Sequence, residues 1–202
     1  MEEELLSKAE KTKRYIIERS AQLFNQKGYV GTSMSDIMDV TGLTKGGIYG
    51  NFKSKDEIAL AAFDYNMEVL YEVFRGAIEV QKSSVDRLHT VLGFHKSIIY
   101  HPLFHGGCPI LNTSIEADDT HPELKLKVIE ALNVWRTSII KIIERGKLRG
   151  EMKEDIKSEK YANVFIAAIE GGLMMSKAYQ NNKYLNDTFE HIKSVIKNEL
   201  EV

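Results

Sequence analysis

TSMSDIMDVTGLTKGGIYGNFK, residues 32–53, spells out two short helices joined by a tight turn. Ser33 and Asp36 have the spacing of a capping box, which predicts a helix carrying Met34, Ile37, Met38 and Val40 on its apolar side. Gly42 supplies the left-handed residue that ends it. Thr44 is placed to cap a second helix, Lys45-Gly46-Gly47-Ile48-Tyr49-Gly50-Asn51-Phe52. Three glycines there each cost about 1 kcal/mol relative to alanine, so the backbone is expected to approach another surface closely. Ile48 and Phe52, one turn apart, tie the helix to a core and leave Lys45, Tyr49 and Asn51 pointing elsewhere. An ammonium for phosphate, a phenol hydroxyl and an amide able to read adenine bidentately suit a DNA groove. The pattern implies a helix-turn-helix. The expected DNA-contacting set is Thr32, Ser33, Thr44, Lys45, Gly46, Gly47, Tyr49, Asn51, Lys53 and Lys55, with Thr32, Lys53 and Lys55 on phosphates.

Helices are expected on either side of this stretch. The first covers 8–27, buries Tyr15, Ile16, Ala21, Leu23 and Phe24, and stops at Gly28. Ser54 with Glu57 opens a fourth that runs to about Val80, and Ser83 or Ser84 a fifth that ends at His101-Pro102. A short helix then reaches about Ala117, and Thr120 with Glu123 opens a long one to about Arg145. Asp155 opens a helix rich in alanine and glycine, and Asp187 with Glu190 opens the last, to about Leu200. With 202 residues, three prolines, 43% hydrophobic residues and no β-branched alternation, the expected fold is all-α, about nine helices. Three belong to a helix-turn-helix head over 1–53 and six to a body over 54–202.

Net charge is −2, but it is unevenly placed. Between Leu5 and Lys55, nine Lys/Arg face four acids, a basic footprint on an otherwise near-neutral chain. A solvated helix face gives the same count. No run approaches the roughly 18 apolar residues of a membrane span, and Met1-Glu2-Glu3-Glu4 lacks the basic start of a signal peptide. A cytoplasmic location is expected. Phosphate-cradling Gly-x-x-x-x-Gly-Lys, nucleophile-elbow and His-Glu-x-x-His patterns are absent from the sequence, so neither an enzyme nor a cofactor is expected. His89, His95, His101 and His105 are spaced too irregularly to offer a metal a shared helix face.

The first third of the chain resembles the N-terminal domain of the tetracycline-repressor (TetR) family of bacterial transcription regulators. The resemblance rests on Phe24, Gly28-Tyr29, Thr32, Asp36-Ile37, Gly42-Leu43-Thr44-Lys45-Gly46, Tyr49, Phe52 and Lys55, and covers about residues 10–63 in motif detail. Gly50 and Asn51 depart from it, since relatives often carry aromatics or histidine there. What the resemblance implies is a ligand-responsive regulator, more often repressor than activator, on an inverted-repeat operator of double-stranded DNA. It further implies a homodimer built on the last two helices, and a cavity for a small-molecule effector within helices four to eight. The small-residue patch Ala168, Gly171 and Gly172 with Met175 then becomes the expected dimer interface, although intramolecular packing would use it equally well. Phe94, Ile98, Phe104, Cys108, Asn112, Glu116, Trp135 and Phe165 are the expected lining of the cavity, or else ordinary core. A rival reading is a DNA-binding or protein-interaction module without an inducer. Cys108 lies between Gly106-Gly107 and Pro109, near His105, and is either buried filling or a thiol at a helix N-terminus. In the second case Lys177 is a candidate counter-ion, since some relatives sense oxidants with a nearby cysteine.

Overall fold

Apolar side chains one helical turn apart build the molecule. Ile16 and Leu23 from the first helix meet Ile37, Ile48, Phe52 and Ile58, with Ile17, Phe24, Met34, Met38, Val40 and Leu43 packed around them. The computed structural model describes residues 7–94 and 104–202. Its helices are α1 (Lys8–Gly31), α2 (Met34–Thr41), α3 (Lys45–Tyr49), α4 (Lys55–Glu79), α5 (Ser84–Gly93), α6 (Pro109–Ala117), α7 (Pro122–Leu148), α8 (Ser158–Ala178) and α9 (Lys183–Val195). A single π turn, Ile196–Leu200, continues α9. The expected fifth-helix positions His95, Ile98, Ile99 and His101 lie outside the described residues.

By packing, the chain divides into two units that differ from a cut at residue 53. One is Met1–Val69 with Pro102–Val128, and the other is Leu70–His101 with Ile129–Val202. In the second unit, Trp135, Ile139 and Ile143 of α7, Phe165, Ile169 and Leu173 of α8, and Leu185, Phe189 and Ile192 of α9 form buried stripes at helical spacing. Gly172 belongs to this interior: a Cβ there would lie 2.6 Å from Thr188 Oγ1.

In the first unit the turn after α1 is gripped from two sides. Gly28 leaves the helix at φ +74°, and an added Cβ would meet the Glu116 carboxylate. Glu116, on α6, accepts the backbone N–H of Tyr29 at 2.6 Å and of Val30 at 2.7 Å. Lys55, at the start of α4, donates to the carbonyls of Tyr29 at 2.8 Å and Thr32 at 2.9 Å. One level down, Asn112 Nδ2 donates to Asn25 and to the Gly106 carbonyl at 2.8 Å, while Asn25 Nδ2 donates to the Gly107 carbonyl at 3.0 Å.

Several helix ends follow the sequence, and others do not. Ser33 and Asp36 form the full capping box, Gly42 adopts φ +67°, and Thr44 accepts the Gly47 N–H. The Thr120–Glu123 box is not made, because the Thr120 hydroxyl turns back to the Glu116 carbonyl. His121 caps α7 instead, its Nδ1 accepting the Leu124 N–H at 3.3 Å ahead of Pro122. The last helix starts at Lys183 rather than Asp187, drawn back where buried Leu185 sends its N–H to Ser176 Oγ. The helix expected from Asp155 begins at Ser158, which is buried and hydrogen-bonded to Glu144.

Asp36 receives Lys27 Nζ at 2.6 Å as well as the Ser33 hydroxyl and N–H. Lys27 first, then Ser33, hold its carboxyl well below the usual carboxylate range. Because the folded value is depressed, the stabilisation is complete above the ordinary aspartate value, about pH 4, and disappears as pH falls from there toward the lowered value. Asp36→Asn should therefore lower the urea midpoint near neutrality and flatten its fall below about pH 4. Parallel urea titrations of the two proteins from about pH 7 to about pH 2 measure this; equal slopes on the acid side would refute it.

Candidate DNA interface

Residues 33–53 present α2, a left-handed glycine turn and α3, the layout of a helix-turn-helix whose second helix enters a groove. Ile48 and Phe52 are buried and fix which side of α3 faces out. Thr44, Lys45, Gly46, Tyr49, Gly50 and Lys53 are exposed there, with Tyr49 42% accessible. A Cβ on Gly46 would meet nothing within 4 Å among the described residues, so no contact among them requires glycine at this position. Close approach of an outside surface would. Lys45 Nζ lies 5.8 Å from the Tyr49 ring centroid, which gathers the cation and the phenol on one patch.

Other members of the expected set are differently employed. Thr32 is fully buried and donates its hydroxyl to the Gly28 carbonyl at 2.7 Å. Lys55 is committed to the turn after α1, with its ammonium 4.1 Å from the Tyr29 ring centroid. Both hold the head together rather than offering a side chain to phosphate. Asn51 Nδ2 donates one of its two N–H groups to the Gly47 carbonyl at 2.9 Å, leaving the other N–H and the amide oxygen for a base edge. Ser33 is spent on its cap.

The basic surplus sorts in the same way. Lys13 pairs with Glu57, Arg14 with Glu18 and Lys27 with Asp36. Arg19 Nε donates to the Val40 carbonyl at 2.9 Å and Tyr15 to the Thr41 carbonyl at 3.1 Å, capping the C-terminal end of α2. Lys8, Lys11, Lys45 and Lys53 are exposed and in no ion pair among the described residues. His121 is absent from the residues that the sequence singles out, and Tyr29 enters there only through the family resemblance. The Tyr29 hydroxyl donates to Asp56 and its ring meets His121 edge-on, centroids 4.8 Å apart. Burial first, then the Asp56 hydrogen bond and charge, push the phenol up to about 12. The one available signal was His121-Pro122, a capping side chain before a proline suited to the first helical position.

Expected cavity residues fall into both packing units. Phe104, Cys108, Asn112 and Glu116 lie in the first; Phe94, Trp135 and Phe165, all buried, lie in the second. Ile98 is outside the described residues. Asn112 and Glu116 are the pair that hold the end of α1. Cys108 is 1% exposed and is the N-cap residue of α6, its carbonyl accepting the Asn112 N–H at 3.0 Å. Of the expected dimer residues, Gly171 has open space beside it and Met175 is exposed, whereas Gly172 faces the α8–α9 contact within the subunit. No cluster of metal-ligating side chains occurs among the described residues, and no helix among them is long and apolar enough to cross a membrane.

Comparison with known proteins agrees with this geometry. Residues 16–62 match the family described as bacterial regulatory proteins, tetR family, and residues 84–192 match the tetracyclin repressor-like C-terminal domain. A TetR transcriptional regulator from Chloroflexus aurantiacus superposes with a TM-score of 0.93 at 37% identity, covering 98% of this chain and 100% of that one. A TetR-family regulator from Cytophaga hutchinsonii gives 0.90 at 39% identity, covering 98% of each. Among curated proteins, an uncharacterised helix-turn-helix regulator of Lactococcus lactis is 28% identical over 91% of this chain and 92% of its own length. The transcriptional repressor DhaR of a Mycobacterium strain is 24% identical, over 86% of each. This chain belongs to the tetracycline-repressor family of helix-turn-helix, DNA-binding transcriptional regulators.

Proposed function

We propose that the chain is a cytoplasmic repressor that binds an inverted-repeat operator as a homodimer and is released when a small molecule occupies its body. The observation that carries the DNA half is the open face of Lys45, Gly46, Tyr49 and Lys53 on a helix with no internal need for its first glycine. The relative from Mycobacterium, named a repressor, supports the sign of regulation. Two subunits suit the reading because two heads related by two-fold symmetry meet two half-sites of a palindrome. On α8, Val164 and Met174 are each 52% exposed and Met175 39%, beside exposed Ala167 and half-buried Ala168 and Gly171. An apolar stripe with small residues at its centre is the shape that lets a second helix approach closely. Release follows from population shift: a ligand that favours the non-binding arrangement by about 1–3 kcal/mol weakens operator binding some 5–150-fold.

Gel shifts with the DNA upstream of the chain's own gene, against random DNA, test the reading. Specific binding should weaken steeply with salt, and Lys53→Ala should weaken every sequence alike and flatten the log–log salt slope by about one unit. Gly46→Ala separates stability from recognition. It should raise the urea midpoint by an amount equivalent to roughly 0.5–1 kcal/mol while costing operator affinity, because the new methyl meets only the DNA. A variant that gains stability and binds unchanged would place the groove contact elsewhere. Gly171→Arg should convert the dimer to monomer in light scattering; an unaltered dimer would assign the interface to another face.

A further inference from the structure

α1, α4, α6 and α7 enclose a cavity of about 30 Å³ inside the first packing unit, beside the turn that Glu116 and Lys55 grip. Its lining includes Phe24, Phe63, Asn66, Thr113, Glu116 and Leu124. Asn66 is 3% exposed, and its Nδ2 donates to the Ala21 carbonyl at 3.2 Å, which fixes the orientation of the amide. The atom left over, Oδ1, is buried and has no hydrogen-bond partner among the described residues. A buried acceptor in a lined cavity calls for a donor. The other polar groups agree in sign. Glu116 keeps one lone pair on each carboxylate oxygen after taking the N–H groups of Tyr29 and Val30, and the Thr113 hydroxyl can also accept. Among the described residues, no lysine or arginine lines the space. Among the described residues, the carboxylates of Glu116 and Asp56 meet the adjoining turn together with the Lys55 ammonium, and the His121 imidazole lies 3.9 Å from Asp56.

We propose that this cavity binds the head of a small primary alkylammonium ion. Three N–H donors then match three acceptors, Asn66 Oδ1, the Glu116 carboxylate and the Thr113 hydroxyl, and the positive charge meets that carboxylate. About 30 Å³ holds roughly two water-sized groups, enough for the ammonium and its first carbon but not for a bulkier cation. Phe24, Phe63 and Leu124 give the short alkyl chain an apolar wall, and the two phenyl rings add cation–π attraction. Because Glu116 also caps the turn that leads into α2, an occupant here stiffens the support of the head. Glu116 and Asn112 belong both to this lining and to the set expected for the effector cavity, so the test below reads binding without operator release.

Full-length protein without DNA is the sample, so the readout does not depend on operator binding. n-Propylammonium chloride should raise the thermal midpoint saturably, whereas sodium chloride at equal ionic strength and tetramethylammonium chloride, which carries the charge without an N–H, should not. Asn66→Leu should weaken apparent propylammonium affinity about tenfold or more, since it removes a hydrogen bond to a charged group. Thr113→Val, on the half-buried face of α6, should weaken it several-fold and serves if the leucine variant does not fold. An equal response to tetramethylammonium, unaltered affinity in the variant that folds, or no saturable response to propylammonium would overturn the proposal and leave the cavity to water.

Discussion

Four hydrogen bonds to one turn carry the position of the DNA-binding head. Where α1 gives way to α2, the backbone offers N–H groups at Tyr29 and Val30 and carbonyls at Tyr29 and Thr32, the Tyr29 carbonyl also accepting the Thr32 N–H at 3.4 Å. A carboxylate takes the donors and an ammonium takes the acceptors. Such charge-assisted bonds are roughly twice as strong as neutral ones, and losing one partner leaves polar backbone unpaired at about 1–3 kcal/mol. Since Lys55 begins α4 and Glu116 sits on α6, the direction in which the chain enters the helix-turn-helix depends on two helices outside it.

The same economy governs the basic residues of the head. Arg19 and Lys55 are spent on backbone carbonyls, and Lys13, Arg14 and Lys27 on carboxylates. What remains exposed and outside any ion pair among the described residues is a short set of ammonium groups, with Lys45 at the start of α3 and Lys53 four residues beyond its end. The exposed charges thus stand on a frame held by cations that are themselves bonded within the protein.

How far the sequence discloses this depends on the range of the interaction. The Ser33–Asp36 box, Gly42 and the Thr44 cap are encoded within four residues of themselves, so spacing alone finds them. Thr32, Lys55 and Asn51 carry groups that bond a carbonyl as readily as a phosphate or a base, and only the fold says which is nearer. Asn112 and Glu116 suit a ligand cavity by residue type; their bonding to Asn25, Tyr29 and Val30 spans 86 or 87 positions, beyond any periodicity. Thr120 shows the competition at short range: a box with Glu123 was open to it, and the Glu116 carbonyl one turn back was the better acceptor.

Those 86 or 87 positions also have a meaning in time. A ribosome adds about 5–20 residues each second, so the end of α1 is made some 4–17 seconds before the carboxylate that caps it. During that interval α1, α2 and α3 can pack their shared apolar core, and the turn at Gly28 has Lys55, the Thr32 hydroxyl and Asp56 but not yet the carboxylate that caps its N–H groups. The nascent head is therefore an ordered core with a loose exit, and it acquires its final aim when α6 emerges. Docking of α6 completes the support of the helix-turn-helix from outside it, through Glu116.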